Sequence, residues 1–530
     1  MNPRTRAGRS ASINGPRGLL LAALSGVLLC LAFPSARLWP LVFVALVPLL
    51  LVIDSGTPGP QDPRPATRSA RWGPWLAGIV FYALLFWWLV RLPASAMTHP
   101  WVIFPALLVL AAYLGLFVAL FGFVLRFVRR RIGWSPLVTA PAAWAVSEWV
   151  KSSGPLGCPW GNVGYALARE PAWIQSASVI GATGLTVWIV TVNALVAGAI
   201  RSRLVAHRAL CVVAAVGIVA APVAWGAARL SHADGHRALT VALVQPDIRS
   251  DQKWNPARQE LSVATLSRLT MEAARQDPKP DLIVWPETAL PFYVRLEPTK
   301  LMRLFALVRQ TGVPLLLGYP DAQLTTQGSV ITHNSAGLVL PNGTIAAQYD
   351  KIHLVPFGER IPFQSVFPFL GRIDLGQAEW TPGDAYTVFS LQGTPFSVLI
   401  CFESIFPGLA RRFATEGARF LVNITNDEWF GPTAAPWQHS DMAILRCTEL
   451  GMGMARCANT GVSMFVDPYG RVTAETGLFR EATLTGKVEL SNGSTFYARW
   501  GDALLFLCIG LVSVLVALAW YRPLAHLPGR

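Results

Sequence analysis

Long apolar runs fill this chain between residues 18 and 228 and return once at 501–521, while the stretch between them mixes polar and apolar residues as a water-facing domain does. That segregation limits the fold more than any other feature. A bilayer core offers the backbone no hydrogen-bond partners, so a crossing segment must satisfy itself as a helix, which takes about 20 mostly apolar residues. Candidate spans lie at 18–33, 38–54, 75–92, 101–125, 136–151, 173–200, 209–227 and 501–521. With 53% of its residues apolar and only 14% charged, the chain lies outside the range of ordinary soluble globules. Arg4, Arg6, Arg9 and Arg17 give the first run the look of a signal peptide, but further apolar segments follow at once and no small-residue cleavage site ends it. It reads as a retained helix.

The basic residues give an orientation. Arg64, Arg68 and Arg71, then Arg126, Arg129, Arg130 and Arg131, then Arg201, Arg203 and Arg208 fall in alternate loops on the N-terminal side, whereas the opposite loops hold only Arg37, Arg91, Lys151 and Arg169. The positive-inside rule then places the N-terminus in the cytoplasm, and seven crossings deliver residues 229–500 to the far side of the membrane. The expected organisation is a cytoplasmic tail 1–17, a transmembrane domain of about seven helices at 18–228, a water-facing domain at 237–490, a closing transmembrane helix at 501–521 and a cytoplasmic tail 522–530. The net charge of +14 is largely the charge of these loops, so nucleic acid is not an expected partner.

Of the seven cysteines, Cys30, Cys211 and Cys508 lie inside apolar runs, where a small buried hydrophobe is the ordinary role. No CxxC spacing points to zinc, and neither a metal nor a cofactor is expected. Cys447 and Cys457 share a region and are candidates for a disulfide if it faces an oxidising compartment. Glu148 stands in the apolar run 143–149, where it either snorkels from a helix end, the favoured reading, or meets substrate. The loop 154–164, with Pro155, Pro159 and Trp160, is either a lipid entrance or a packed re-entrant loop.

From Leu239 the texture changes to short apolar strands alternating with amphipathic helices, the pattern of a layered α/β domain. Strands are expected at 239–245, 282–285, 314–318, 396–400, 420–424, 462–467 and 483–488, with helices at 258–275, 300–311, 405–415 and 435–456. The segments 335–340 and 344–349 read as a hairpin, because Asn342-Gly343 supplies the positive φ of a tight turn.

Three polar groups follow strand ends: Glu287 after 282–285, Lys351 after 344–350 and Cys401 after 397–400. A rigid sheet aims such positions well, and together they offer a thiol nucleophile, a carboxylate to take its proton and an ammonium for a developing oxyanion. Singly, each has a plainer role: an inert core cysteine, a turn cap, and a surface lysine paired with Asp350. The flanking residues separate these readings.

Trp285-Pro286-Glu287-Thr288, then the run from Tyr349-Asp350-Lys351-Ile352-His353 through Phe357-Gly358-Glu359-Arg360-Ile361-Pro362, then Ile400-Cys401-Phe402-Glu403-Ser404 resemble the Glu-Lys-Cys signatures of the nitrilase, or carbon-nitrogen hydrolase, superfamily. The long segment 351–362, Asn426-Asp427-Glu428-Trp429-Phe430-Gly431 and Arg456-Cys457-Ala458-Asn459-Thr460-Gly461 look like its membrane-embedded apolipoprotein N-acyltransferase branch. The resemblance covers nearly the whole chain and implies a multi-pass α-helical membrane domain joined to an αββα nitrilase-like sandwich. It further implies Cys401 as nucleophile, Glu287 as general base and Lys351 as oxyanion stabiliser. Glu359 and Glu403 would be supporting carboxylates, and Trp254 and Trp429 would stand around the substrate pocket. Phe402 departs from the Tyr found in several members, which keeps a ring and loses a hydroxyl.

The implied enzyme is an acyltransferase of the bacterial inner membrane with its catalytic domain in the periplasm. It would move an acyl chain from a phospholipid, phosphatidylethanolamine by resemblance, through a Cys401 thioester to the α-amino group of the diacylglyceryl-cysteine that begins an apolipoprotein. A membrane-tethered amidase would use the same three residues with water as acceptor, and a transporter or receptor whose domain only binds ligand need not retain all three. Apolar stretches such as Val366-Phe367-Pro368-Phe369-Leu370 are either loops that dip into the interface or packed turns.

Overall fold

The computed structural model describes residues 15–34, 38–92, 100–232, 235–249, 253, 258–324, 328, 330–364, 366–372 and 378–522. Its helices Trp39–Gly56, Arg68–Arg91, Ile103–Ile132, Ala177–Arg201, Val205–Ser231 and Ala503–Tyr521 are long and apolar enough to cross a bilayer, and Pro16–Leu31 is a shorter apolar one. The Pro136–Lys151 helix packs among them, against Ile103–Ile132, Ala177–Arg201 and Ala503–Tyr521. Apolar side chains are no more soluble in each other than in lipid tails, so close association rests on small residues. A Cβ on Gly78 would lie 2.7 Å from the Gly115 Cα, and that contact lets the Arg68–Leu85 and Ile103–Ile132 helices touch backbone to backbone.

The basic loops gather at one end of the bundle. Asp54 pairs with Arg129 at 3.3 Å and Arg201 at 2.8 Å, Arg126 donates to the Ala70 carbonyl at 2.8 Å, and Arg130 to the Arg64 carbonyl at 2.7 Å. The other end, with the turns Trp87–Arg91 and Val163–Leu167, carries the second unit.

That unit holds two six-stranded sheets. The strands are β1 (Ala238–Gln245), β2 (Leu282–Val284), β3 (Leu315–Leu324), β4 (Val330–Val339), β5 (Ile345–Asp350), β6 (Phe389–Leu391), β7 (Thr394–Ile400), β8 (Leu421–Thr425), β9 (Met454–Ala458), β10 (Met464–Val466), β11 (Val472–Glu475) and β12 (Ala482–Glu489). One sheet runs β12-β1-β2-β3-β4-β5 and the other β11-β10-β9-β8-β7-β6. β1, β2 and β3 are parallel neighbours, as are β7, β8 and β9, and the remaining pairs are antiparallel. The period of two sorts the side chains. Val241, Leu243, Leu282 and Val284 enter the core between the sheets, while Ala242, Val244, Ile283 and Trp285 lie under the helices Gln259–Ala274 and Pro298–Thr311. Helices Pro407–Thr415 and Ala435–Leu450 accompany the second sheet, which completes the αββα order. One apolar core runs without a break from the membrane helices into the sandwich.

Several expectations change. The helix expected to reach Arg456 stops at Leu450, because Gly451 takes a left-handed turn (φ 65°) and its N–H caps the Cys447 carbonyl at 2.8 Å; Arg456 and Cys457 stand on β9. The helix expected from residue 405 begins at Pro407, since the residue before a proline is pushed out of helical geometry and Phe406 is extended. Cys447 and Cys457 are not bridged: both thiols are free, and Cys457 Sγ donates to the Val244 and Val284 carbonyls at 3.3 and 3.2 Å, where the sheets meet. Glu148 does not snorkel. It is 7% exposed and accepts from Trp144 Nε1 (2.9 Å), the Val163 N–H (2.8 Å) and Thr186 Oγ1 (2.7 Å) inside the bundle. In the loop 154–164, Trp160 and Val163 are buried, so this part is packed protein. Val366, Phe367 and Phe369 are 66%, 51% and 63% exposed, so they do not form a packed turn.

The Gly78 contact has a direct test. Gly78→Val is expected to destabilise the detergent-solubilised protein by roughly 1–3 kcal/mol, the usual cost of overpacking, read as a lower thermal midpoint.

Candidate active site

Cys401 follows β7 and opens the tight turn Cys401–Ile405. Its φ is +53°, a left-handed value that costs a residue with a Cβ and that persists only where the surroundings fix it. Ile400, Val398 and Phe396 anchor the strand in the core, so the bend presents the thiol at the strand's end. Burial pushes the Cys401 thiol well up, and the Glu287 carboxylate pushes it further, against the pull of Lys351. At rest the sulfur is a thiol that needs a base.

Glu287 and Lys351 come from the other sheet. Glu287 lies past β2, where its backbone presses on Gly318 of β3: a Cβ there would sit 2.7 Å from the Glu287 Cα. Lys351 follows β5 directly and is 1% exposed. Its Nζ donates to Glu359 Oε1 at 2.9 Å and to Glu287 Oε1 at 3.2 Å. Burial alone would lower the ammonium, but the two carboxylates outweigh it and hold Lys351 charged. Asn334 Nδ2, on β4, bridges the same oxygens at 2.8 and 3.1 Å, while Glu287 Oε2 accepts from the Asn426 N–H at 2.8 Å and Glu359 Oε2 from the Val355 N–H at 2.7 Å.

Glu403 ties the strand before Lys351 to the turn that Cys401 opens. Fully buried, it accepts at Oε1 from Tyr349 Oη (2.7 Å) and the Ile352 and His353 N–H groups (2.8 and 3.0 Å), and at Oε2 from the Ile400 N–H (2.8 Å). Phe402 stands edge-on to Phe406, centroids 5.1 Å apart, and that contact needs no hydroxyl. Trp429, 52% exposed, sits on the turn Asp427–Phe430. Trp254 lies outside the described residues.

Behind Cys401 is a buried network that the sequence motifs did not assign. His439 Nδ1 is 2.9 Å from Asp427 Oδ1, and its Nε2 is 3.2 Å from the Cys401 carbonyl. Arg456 Nη2 donates to Asp427 Oδ2 at 3.0 Å. Arg456 and His439 outweigh the effect of burial and hold the Asp427 carboxyl at about 2. Cys401, Asp427 and His439 also have ligand atoms within 4.8 Å of one another, the spacing of a metal group. Arg456, 3.0 Å from Asp427 and 3.1 Å from His439 Nδ1, puts a fixed cation against two of those ligands, which does not suit a metal ion. Asn334 and His439 gave no signal because a lone Asn on a strand and a lone His on a helix look like ordinary core or surface residues. Lys253 belongs here too: it is 2% exposed, donates to Thr288 Oγ1 at 3.0 Å, and burial lowers its ammonium to about 8 against the opposing pull of Glu287 and Glu428.

The arrangement brings a thiol, a carboxylate and a fixed positive charge together in a largely buried site, the groups that nucleophilic acyl transfer needs. Residues 240–496 match the sequence model for carbon-nitrogen hydrolases, and residues 25–195 match that for the apolipoprotein N-acyltransferase N-terminal domain. The chain is 36% identical to the apolipoprotein N-acyltransferase of Geobacter metallireducens over 96% of both proteins, and 32% identical to that of Chlorobaculum tepidum over 98% of this chain and 100% of the relative. Among solved structures it is similar to an amidase from Nesterenkonia sp. (19% identity, TM-score 0.38, covering 52% of this chain and 97% of that one) and to a carbon-nitrogen hydrolase from Helicobacter pylori (17%, 0.39, 50% and 94%).

Asp427 makes the network measurable. Its carboxyl is depressed to about 2, so the stabilisation is complete above its unfolded value near 4 and is lost as pH falls toward 2. Asp427→Asn is expected to cost about 3–5 kcal/mol at pH 7, as when one partner of a buried ion pair is removed, with the gap to wild type narrowing as pH falls from about 4 to about 2 in thermal-unfolding scans.

Proposed function

The chain belongs to the apolipoprotein N-acyltransferase family, and we propose that it acylates the α-amino group of the diacylglyceryl-cysteine at the start of apolipoproteins through a thioester on Cys401. The observation that carries this reading is the convergence of Cys401, Glu287 and Lys351 directly over the membrane bundle: Trp160, from the bundle, stacks on His439, which in turn meets the Cys401 carbonyl.

In the first stage Glu287 takes the thiol proton and the sulfur attacks the ester carbonyl of a phospholipid. Lys351, held charged by its two carboxylates, steadies the oxyanion of the tetrahedral intermediate. Collapse breaks the ester C–O bond, Glu287 returns its proton to the departing alkoxide, and a lysophospholipid leaves. In the second stage the neutral α-amine attacks the thioester, Glu287 takes the amine's proton, and the amide forms as the thiol is restored. The donor is phosphatidylethanolamine.

Both partners are lipid-anchored, and each CH₂ drawn into water costs about 0.8 kcal/mol, so the reaction must take place beside the bilayer. The exposed Phe357, Phe363, Val366, Phe367 and Phe369 are the side chains suited to enter the interface. The basic end of the bundle, around Asp54, faces the cytoplasm under the positive-inside rule, which puts both termini there and the sandwich in the periplasm.

Purified protein exposed to phospholipid is expected to gain one acyl chain in intact mass, and Cys401→Ala none. Glu287→Gln is expected to slow thioester formation by roughly 10²–10⁴, the range for loss of a general base. Release of free fatty acid without an acylated diacyl-lipopeptide would identify a hydrolase instead.

A further inference from the structure

Two buried braces, both rooted in the membrane helices, converge on one backbone oxygen of the nucleophile's turn. That oxygen is the carbonyl of Ile405, the last residue of Cys401–Ile405. Tyr165 donates its hydroxyl to it at 2.9 Å, and Arg446 Nη1 donates at 3.1 Å. Neither donor is anchored in the sandwich alone. Tyr165 lies in the turn Val163–Leu167, whose first N–H is held by Glu148 Oε1 at 2.8 Å. Glu148 in turn binds Thr186, so it joins the Pro136–Lys151 and Ala177–Arg201 helices. Arg446 is paired at 2.7 Å with Glu449, and Glu449 Oε1 accepts the Ala182 N–H at 2.7 Å. That N–H opens the main run of the Ala177–Arg201 helix, just past the break at Gly181 (φ 65°). A carboxylate at a helix N-terminus is favourably placed.

Arg446 and Glu449 are fully buried and Tyr165 is 3% exposed. An ion pair in such a place is weak grounds for stability, since taking both charges out of water costs about what their attraction returns. What it does supply is a fixed direction. The Ile405 carbonyl is where the turn must be held, because Cys401 at the other end has a left-handed φ that relaxes if the turn opens.

We propose that Tyr165 and Arg446 are positioning residues for acyl transfer: by gripping Ile405 they make the reactive geometry of Cys401 depend on the packing of the membrane helices. The thiol is poised only while the bundle is assembled, and a sandwich loosened from its seat loses its nucleophile before it loses its fold. The inference rests on Cys401 being the nucleophile.

The test uses the full chain in lipid nanodiscs. Tyr165→Phe, which removes one hydroxyl and keeps the ring, is expected to lower kcat for N-acylation about tenfold, or 1.4 kcal/mol of transition-state energy, with KM for phospholipid unchanged. The rate of Cys401 alkylation by iodoacetamide, followed from pH 6 to 10, is expected to fall with it at every pH, while the thermal midpoint stays within a few degrees of wild type. Arg446→Lys, which keeps the charge beside Glu449 and withdraws the guanidinium from Ile405, is expected to do the same and keeps the test decisive if the first variant misfolds. Unchanged kcat and alkylation in both variants, or a higher KM with kcat intact, would overturn the proposal. Wild-type protein that gains no acyl group on Cys401 would instead overturn the nucleophile assignment, a different failure.

Discussion

A single ammonium buried between two carboxylates holds the reactive end of this molecule together. Lys351 is 1% exposed, so its charge is met by Glu287 and Glu359, and Asn334 pins both. Removing Lys351 would leave two buried carboxylates facing each other without their shared cation, so the cluster is fixed as a unit. Its net charge of minus one is offset by N–H groups from Asn426 and Val355. Glu287, the proposed base, is therefore held in place before any substrate arrives, and little reorganisation remains for the reaction to supply.

The same economy explains why Cys401 is kept as a thiol. A permanent thiolate so near Glu287 would add a further anion beside the cluster. The sulfur is instead held as a thiol by burial. Under the proposed mechanism its proton moves only when a carbonyl carbon is at hand, and the acyl chain then stays on the protein, which suits a reaction whose partners both stay in the bilayer.

Much of this was legible in the chain. Apolar run lengths located the six helices long enough to cross a bilayer, Asn342-Gly343 gave its hairpin, and the order of Glu287, Lys351 and Cys401 in their flanking motifs gave the three groups that the fold brings together. What escaped was set by tertiary contact. Periodicity cannot show that Gly451 ends a helix and turns Arg456 into a strand residue. Nor can composition show that Glu148, placed where snorkelling is usual, has three donors waiting inside the bundle. Asn334 and His439 are ordinary residue types at ordinary positions, and only the meeting of two sheets gives them partners.

β1 and β12 are antiparallel neighbours, with Ala238 opposite Glu489, so the polypeptide enters and leaves the sandwich almost at one point. Topologically the sandwich is an insertion between two membrane helices, with its ends a strand spacing apart. Such a unit can be exchanged between lineages by a single excision and religation without rethreading the bundle, provided the residues that seat it, Trp160 and Tyr165 below and Gln438, His439 and Arg446 above, travel as a matched set.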